Sequence, residues 1–151
     1  MATLRLEEQL CFALYSASRA VTSAYRPLLD ELDLTYPQYL VLLVLWEDDA
    51  CTIGQLGDRL HLDSGTLSPL IKRLEASGLV RRQRSNADER RVDVTLTAEG
   101  RALEDRAACI PERLLGSTDA DPAQLAALRD ALTLITCLLY TSPSPRDLST
   151  S

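Results

Sequence analysis

The chain has 151 residues and a mass of 16.7 kDa, the size of one domain or of one domain with a tail. Apolar residues make up 46% and charged residues 25%, ordinary values for a globular chain. The longest apolar run, Leu40 to Trp46, falls short of the roughly 18 residues of a membrane span, and MATLRLEEQL is too acidic for a signal sequence, so a cytoplasmic protein with no membrane partner is expected.

The net charge of −6 argues on average against a nucleic-acid partner. The average hides a contrast. Between Lys72 and Arg91 lie seven basic residues and three acidic ones, a local +4 that leaves −10 for the remainder. A basic patch on an acidic body is the footprint of a site for a polyanion. The single His and four Cys, none of them at C-x₂₋₄-C spacing, point away from zinc, and neither a metal nor a cofactor is expected. Cysteines at 11, 51, 109 and 137 do not form a disulfide framework.

Residues 4–32 read as one long helix, with Leu10, Leu14, Ala17, Val21 and Ala24 at helical spacing and nothing to break it before Pro27. Thr35-Tyr36-Pro37 is a helix start, with Thr35 as the cap. The segment that follows is apolar nearly all round to Trp46, the pattern of a buried central helix, and Glu47-Asp48-Asp49 marks a turn. Thr52 and Gln55 have capping-box spacing and open a short helix at about 53–60. Asp63 to Thr66 offers a second start. Leu67, Leu70, Ile71 and Leu74 then form one stripe, and Gly78 closes a helix over about 64–77. After Gly78 the period changes to two. Residues 79–84 and 92–96 read as strands joined by a polar tip, Ser85 to Arg91. Thr97 caps another long helix with a kink or break at Pro111. Ser117 to Asp121 is a loop, and a last helix runs over 123–136.

The expected fold class is mainly α with a small β-hairpin: a winged helix-turn-helix lobe at about 50–97, flanked by long helices at about 4–32 and 98–136. The domain is expected to end near residue 136. The last fifteen residues, CLLYTSPSPRDLSTS, lack any amphipathic pattern, and CLLYTSPSPRD resembles one reading frame of a transposase adapter used in sequencing libraries. Residues 137–151 are therefore expected to be a non-native or disordered tail, with no role for Cys137.

On the 64–77 helix the apolar stripe turns inward and leaves Ser64, Gly65, Thr66, Ser68, Pro69, Lys72 and Arg73 outward. Small hydroxyl residues let a helix approach the major groove closely, and Lys72 and Arg73 suit phosphates. Arg84 and Arg90 lie on the hairpin. An arginine at a wing tip fits a minor groove, with Asp88 placed to hold it. The bland alternative is a solvated basic face.

YPQYLVLLVLWE, LDSGTLSPLIKRLEASGLV and DERRVDVTLTAEGR resemble the MarR family of dimeric winged-helix repressors, over roughly residues 5–136. The Asp88/Arg90 pair matches that family's wing motif. The resemblance implies a homodimer built on the first and last helices, and two recognition helices on an inverted-repeat, double-stranded operator. Within the family, LEEQLCFALYSASR followed by LTYPQYL is similar to the organic hydroperoxide resistance regulators. That likeness implies a peroxide-sensing Cys11, with Tyr25 and Tyr36 hydrogen-bonded to it and Tyr15 in the same motif.

The chemistry is consistent. A peroxide sensor needs a thiolate, which phenolic O–H donors and a helix N-terminus favour. Leu10, Phe12 and Leu14 would give an apolar surround selecting organic hydroperoxides. Cys11 and Tyr25 are fourteen residues apart, about 21 Å on a continuous helix, so Tyr25 would come from the partner chain. A sulfenic acid at Cys11 then needs a thiol partner. A low-molecular-weight thiol is expected, with Cys109 either the resolving thiol or an inert core residue. Cys51 and His61 carry no expected chemistry. Cys11 as a small buried hydrophobe is the plain alternative. Two rivals follow: a repressor responding to a small phenolic or carboxylate ligand, and a thiol peroxidase. An enzyme is not expected, because Cys11 lacks a neighbouring Arg or a Thr/Ser-x-x-Cys pattern.

Overall fold

The computed structural model describes residues 4–85, 87–88, 90–116 and 118–141. A 3₁₀ turn at Leu6–Glu8 precedes α1 (Leu10–Asp30), α2 (Tyr36–Asp48), β1 (Ala50–Thr52), α3 (Ile53–Leu60), α4 (Ser64–Ala76), β2 (Val80–Arg84), β3 (Val92–Leu96), α5 (Ala98–Ala107), α6 (Ile110–Leu115) and α7 (Pro122–Thr141). The chain divides into two compact units, residues 1–114 and 115–151.

The first unit is built around α2, whose Tyr39, Val41, Leu42, Val44 and Leu45 are all buried. They meet Leu56 of α3, Leu67, Ile71 and Leu74 of α4, Val80 and Val94 of the sheet, and Leu103 of α5. The helix starts follow from local chemistry. Thr35 and Gln38 form a reciprocal capping box, as do Thr52 and Gln55. The Asp63 carboxylate accepts from the Thr66 N–H, and the Thr97 hydroxyl accepts from the Gly100 N–H. Gly78 takes φ +79° after α4, a backbone turn that costs only glycine nothing.

Several elements depart from the sequence reading. The first helix begins at Leu10 rather than residue 4, with the 3₁₀ turn before it, and ends at Asp30. Pro27 sits inside α1, near its end. The sheet has three strands in the order β1-β3-β2, all antiparallel, because Ala50–Thr52 pairs with Asp93–Thr95 on the open edge of the hairpin. The long helix expected after Thr97 stops at Ala107, before Pro111, and Pro111 falls in the first turn of α6, where its missing N–H costs little. The last helix starts at Pro122 and continues five residues past 136. Ser117, part of the expected loop, and residues 142–151 of the expected tail lie outside the described residues.

In the second unit, α7 is long and apolar enough to cross a membrane by length and composition, with a mean hydropathy of 1.3 over its best window. A search for uninterrupted apolar runs misses it because Arg129 and Asp130 divide the sequence. None of that window is buried. The first four turns of α1 are similarly bare: Leu10, Phe12, Tyr15 and Val21 are exposed, and Leu29 is the one buried residue of the helix.

Candidate functional site

Helices α3 and α4, joined by the left-handed residue His61, form the helix-turn-helix, and β2 and β3 form the wing. Between them lies an open cleft of about 570 Å³, lined by Thr52 to Gln55 at the start of α3, Ser64 and Ser68 of α4, and Arg90 and Arg91 of the wing. The fold thus brings three of the expected DNA-contact residues, Ser64, Ser68 and Arg90, to one surface. It adds the first turn of α3, which the sequence reading did not single out. The reciprocal Thr52–Gln55 box was the available signal, since it marks a helix start beside a recognition helix.

The basic residues are not equivalent. Lys72, Arg73, Arg81, Arg84 and Arg90 are exposed. Arg82 is held by Glu75 across α4 and β2: its backbone N–H and guanidinium donate to the two carboxylate oxygens at 2.9–3.2 Å, which holds Glu75 below the usual carboxylate range. Arg91 pairs with Asp93. Arg84 lines a separate recess with Glu75, Arg82, Gln83 and Val92. Thr66 is partly engaged, because its hydroxyl and N–H both donate to Asp63 and lower that carboxyl.

Asp88 departs from expectation. Its carboxylate accepts from the backbone N–H of Arg90 at 3.0 Å and its carbonyl from the N–H of Arg91, so it folds the tip rather than gripping the Arg90 side chain. The tip closes with the Ser85 N–H donating to the Arg91 carbonyl. Glu89, next to this pair, lies outside the described residues.

Cys11 is the second residue of α1 and is exposed. The preceding residue, Gln9, makes no side-chain cap to the first turn of α1. Tyr15, one turn on, lies on the same face, with the Arg19 guanidinium 5.5 Å from its ring centre. Leu10 and Phe12 are exposed, so a single chain offers Cys11 no apolar pocket.

The tyrosines assemble elsewhere. Tyr25 of α1 meets Tyr36 and Tyr39 of α2 with ring centres 4.9 and 5.8 Å apart. Tyr36 and Tyr39 are 6.3 Å apart, and Tyr39 meets the edge of Trp46 at 6.2 Å. Burial pushes all three phenols up, with Tyr36 adding to the effect on Tyr25, so they stay neutral O–H donors at physiological pH. Because α1 is unbroken from Leu10 to Asp30, the cluster lies about 21 Å along the helix from its own Cys11.

The other thiols sort by position. Cys51 is buried, and burial together with the Asp48 carboxylate raises its thiol. Cys109 is exposed at the break between α5 and α6, not a core residue. Its thiol donates to the Arg106 carbonyl at 3.6 Å and bonds Arg113, whose guanidinium grips Glu31. Cys137 is exposed on α7. Among the described residues, no three His, Cys, Asp or Glu side chains are grouped to hold a metal ion.

Comparison with known proteins gives this geometry its context. A family model for the SarA/Rot transcriptional regulators matches residues 23–106. The organic hydroperoxide resistance transcriptional regulator of Bacillus subtilis is 49% identical over 129 residues, spanning 85% of this chain and 88% of that protein. The chain belongs to the MarR family of winged-helix transcriptional regulators, in its organic hydroperoxide resistance subgroup. The regulator is also 53% identical over 127 residues to TtmR of Methylorubrum extorquens, and there it spans 65% of a longer protein. Among solved structures it is similar to AbfR of Staphylococcus epidermidis. Reduced AbfR bound to DNA matches with a TM-score of 0.78 at 34% identity, over 92% of this chain and 98% of that one. The disulfide form of AbfR matches at 0.62 and 35%, over 91% of each chain. These relatives are transcriptional regulators rather than enzymes, which removes the peroxidase alternative.

Proposed function

We propose that this regulator is a cytoplasmic homodimeric repressor that leaves an inverted-repeat DNA operator when an organic hydroperoxide oxidises Cys11. The observation that carries the reading is the unbroken α1, with an exposed thiol at its uncapped start and a cluster of neutral phenols near its end. Fourteen residues of helix keep them apart in one chain. A second chain paired along α1 supplies Tyr25 and Tyr36 to Cys11 and covers the exposed Leu10, Phe12, Tyr15 and Val21. The exposed apolar surface of α7 is likewise read as a subunit contact and not a membrane span.

The Cys11 thiolate attacks the distal peroxide oxygen. The O–O bond breaks, an alcohol leaves, and the cysteine becomes a sulfenic acid. A low-molecular-weight thiol then condenses with it, releasing water and leaving a mixed disulfide. Cys109, exposed and beside Arg113, is the alternative resolving thiol. Loss of the thiolate–phenol bonds and the bulk of the adduct shift the dimer away from operator spacing. On DNA, Ser64, Thr66 and Ser68 face the major groove, Lys72 and Arg73 the phosphates, and Arg84 and Arg90 the flanking backbone and minor groove, on a tip folded by Asp88. Redox regulation is supported by the names of the relatives: a hydroperoxide resistance regulator, and AbfR, solved in reduced, overoxidised and disulfide forms.

A second reading rests on a recess of about 200 Å³ between α1 and α2, lined by Thr22, Arg26, Leu34 and Tyr36, where Arg26 would meet a small carboxylate or phenol. BpsR of Bordetella bronchiseptica, 27% identical, is described as regulated by 6-hydroxynicotinic acid. A gel shift on an inverted-repeat operator, with and without cumene hydroperoxide, separates the two. The expected result is release of the native regulator and retention of Cys11→Ser. Release of both, or of neither, overturns the redox reading and leaves the ligand.

A further inference from the structure

We propose that Tyr39 is a positioning residue that carries the state of the sensing tyrosines to the root of the wing through Trp46 and Gly100. The inference rests on the Cys11 reading above and adds the route by which oxidation reaches the DNA-binding lobe.

Each link of the route is a contact. Tyr39 is buried in the centre of the aromatic cluster, touching Tyr25 and Tyr36 on one side and Trp46 on the other. Tyr36, Tyr39 and Trp46 sit at i, i+3 and i+10 of α2, and so fall near one line of that helix. The Trp46 indole N–H donates to the Gly100 carbonyl at 2.9 Å, and the Arg101 guanidinium donates to the Trp46 carbonyl at 3.2 Å. Gly100 is pressed against the backbone just before β2: a methyl group placed on it would collide with the Leu79 carbonyl oxygen. Thr97 ties the same joint. Its hydroxyl donates to the Gly78 carbonyl and accepts from the Gly100 N–H, and its own N–H donates to the Leu79 carbonyl. From Leu79 the chain enters β2 and runs out to Arg84 and the tip.

A joint this tight does not deform smoothly. Close-packed interiors switch between discrete arrangements, so displaced tyrosine rings must be answered at Trp46 and then at the β2 root. Tyr39 touches neither Cys11 of its own chain nor the DNA-facing cleft, so its role is to connect the two.

The test compares native regulator, Tyr39→Leu, Tyr39→Phe and Cys11→Ser. Cys11 oxidation is followed by mass spectrometry and operator retention by gel shift on the same samples. The expected result for Tyr39→Leu is complete oxidation of Cys11 with the operator still bound, the ratio of reduced to oxidised affinity falling at least tenfold. Tyr39→Phe, which keeps the ring contacts, behaves as native. Release of oxidised Tyr39→Leu as full as native overturns the proposal while leaving Cys11 as sensor. Release of Cys11→Ser by hydroperoxide overturns the reading beneath it. A second measurement needs no variant at Tyr39. Trp46 is the only tryptophan, so its emission reports the middle of the route. It shifts on oxidation of the free native dimer and stays fixed in Cys11→Ser. A silent Trp46 in fully oxidised native protein also overturns the proposal.

Discussion

Lys72, Arg82 and Arg90 belong to one basic run, yet the fold gives them different work. Arg82 is engaged by Glu75, whereas Lys72 and Arg90 are exposed on the lobe that carries the cleft. Replacing Arg90 with Ala should weaken operator binding by roughly 1–3 kcal/mol, and Lys72→Ala should lower the slope of log affinity against log salt by about 1. Arg82→Ala should leave that slope unchanged and lower the melting temperature instead. Titrations at several salt concentrations, beside thermal melts, check all three. Acid should act through the same contacts. Glu75, Asp63 and Glu31 are held below their ordinary values by hydrogen bonds from Arg82, Thr66 and Arg113. Their contribution is therefore complete above the unfolded carboxylate range, near pH 4, and is lost as pH falls through the lower folded values. Melting temperatures measured from pH 7 to pH 3 should drop below pH 4, and Glu75→Gln should flatten part of that drop. The sequence supplied the count of charges but not their partners, because the Glu75–Arg82 pair joins a helix to a strand across a turn.

The helix starts were legible because the determinants are local. Thr35, Thr52, Asp63 and Thr97 each cap a helix with bonds to residues three positions on. Thr97 has a second bond to the Gly78 carbonyl, so Thr97→Ala should destabilise by about 1–2 kcal/mol in urea melts. Gly100→Ala forces a methyl group into the Leu79 carbonyl and should cost about 1–3 kcal/mol by the same assay. What stayed hidden was set by distant partners. Ala50–Thr52 has no strand pattern of its own and is extended because β3 offers it an edge. Tyr39 reads as one more buried residue of an apolar helix, and only its neighbours give it significance.

At the scale of the molecule, α1 and α7 expose apolar surface that a lone chain leaves in water. The regulator should therefore sediment at twice its chain mass. Val21→Asp, which places a charge on the exposed face of α1, should shift it toward monomer and abolish operator binding together. The winged lobe was legible from period, caps and charge, since each lies within one chain. The proposed sensing site was not legible in that way: Cys11 and the tyrosines could be named through a likeness to known regulators, while a fourteen-residue spacing along one helix separates Cys11 from Tyr25 in every single chain. That separation has a genetic consequence. If the proposed site is shared between two chains, homodimers of Cys11→Ser lack the thiol in both sites, and homodimers of Tyr25→Phe lack the phenol in both. A mixed dimer of the two pairs an intact Cys11 with an intact Tyr25 in one site and concentrates both lesions in the other. Two chains that are each deaf to peroxide should thus share one working site in each mixed dimer, so a co-expressed pair assorting at random should regain about a quarter of the native sites.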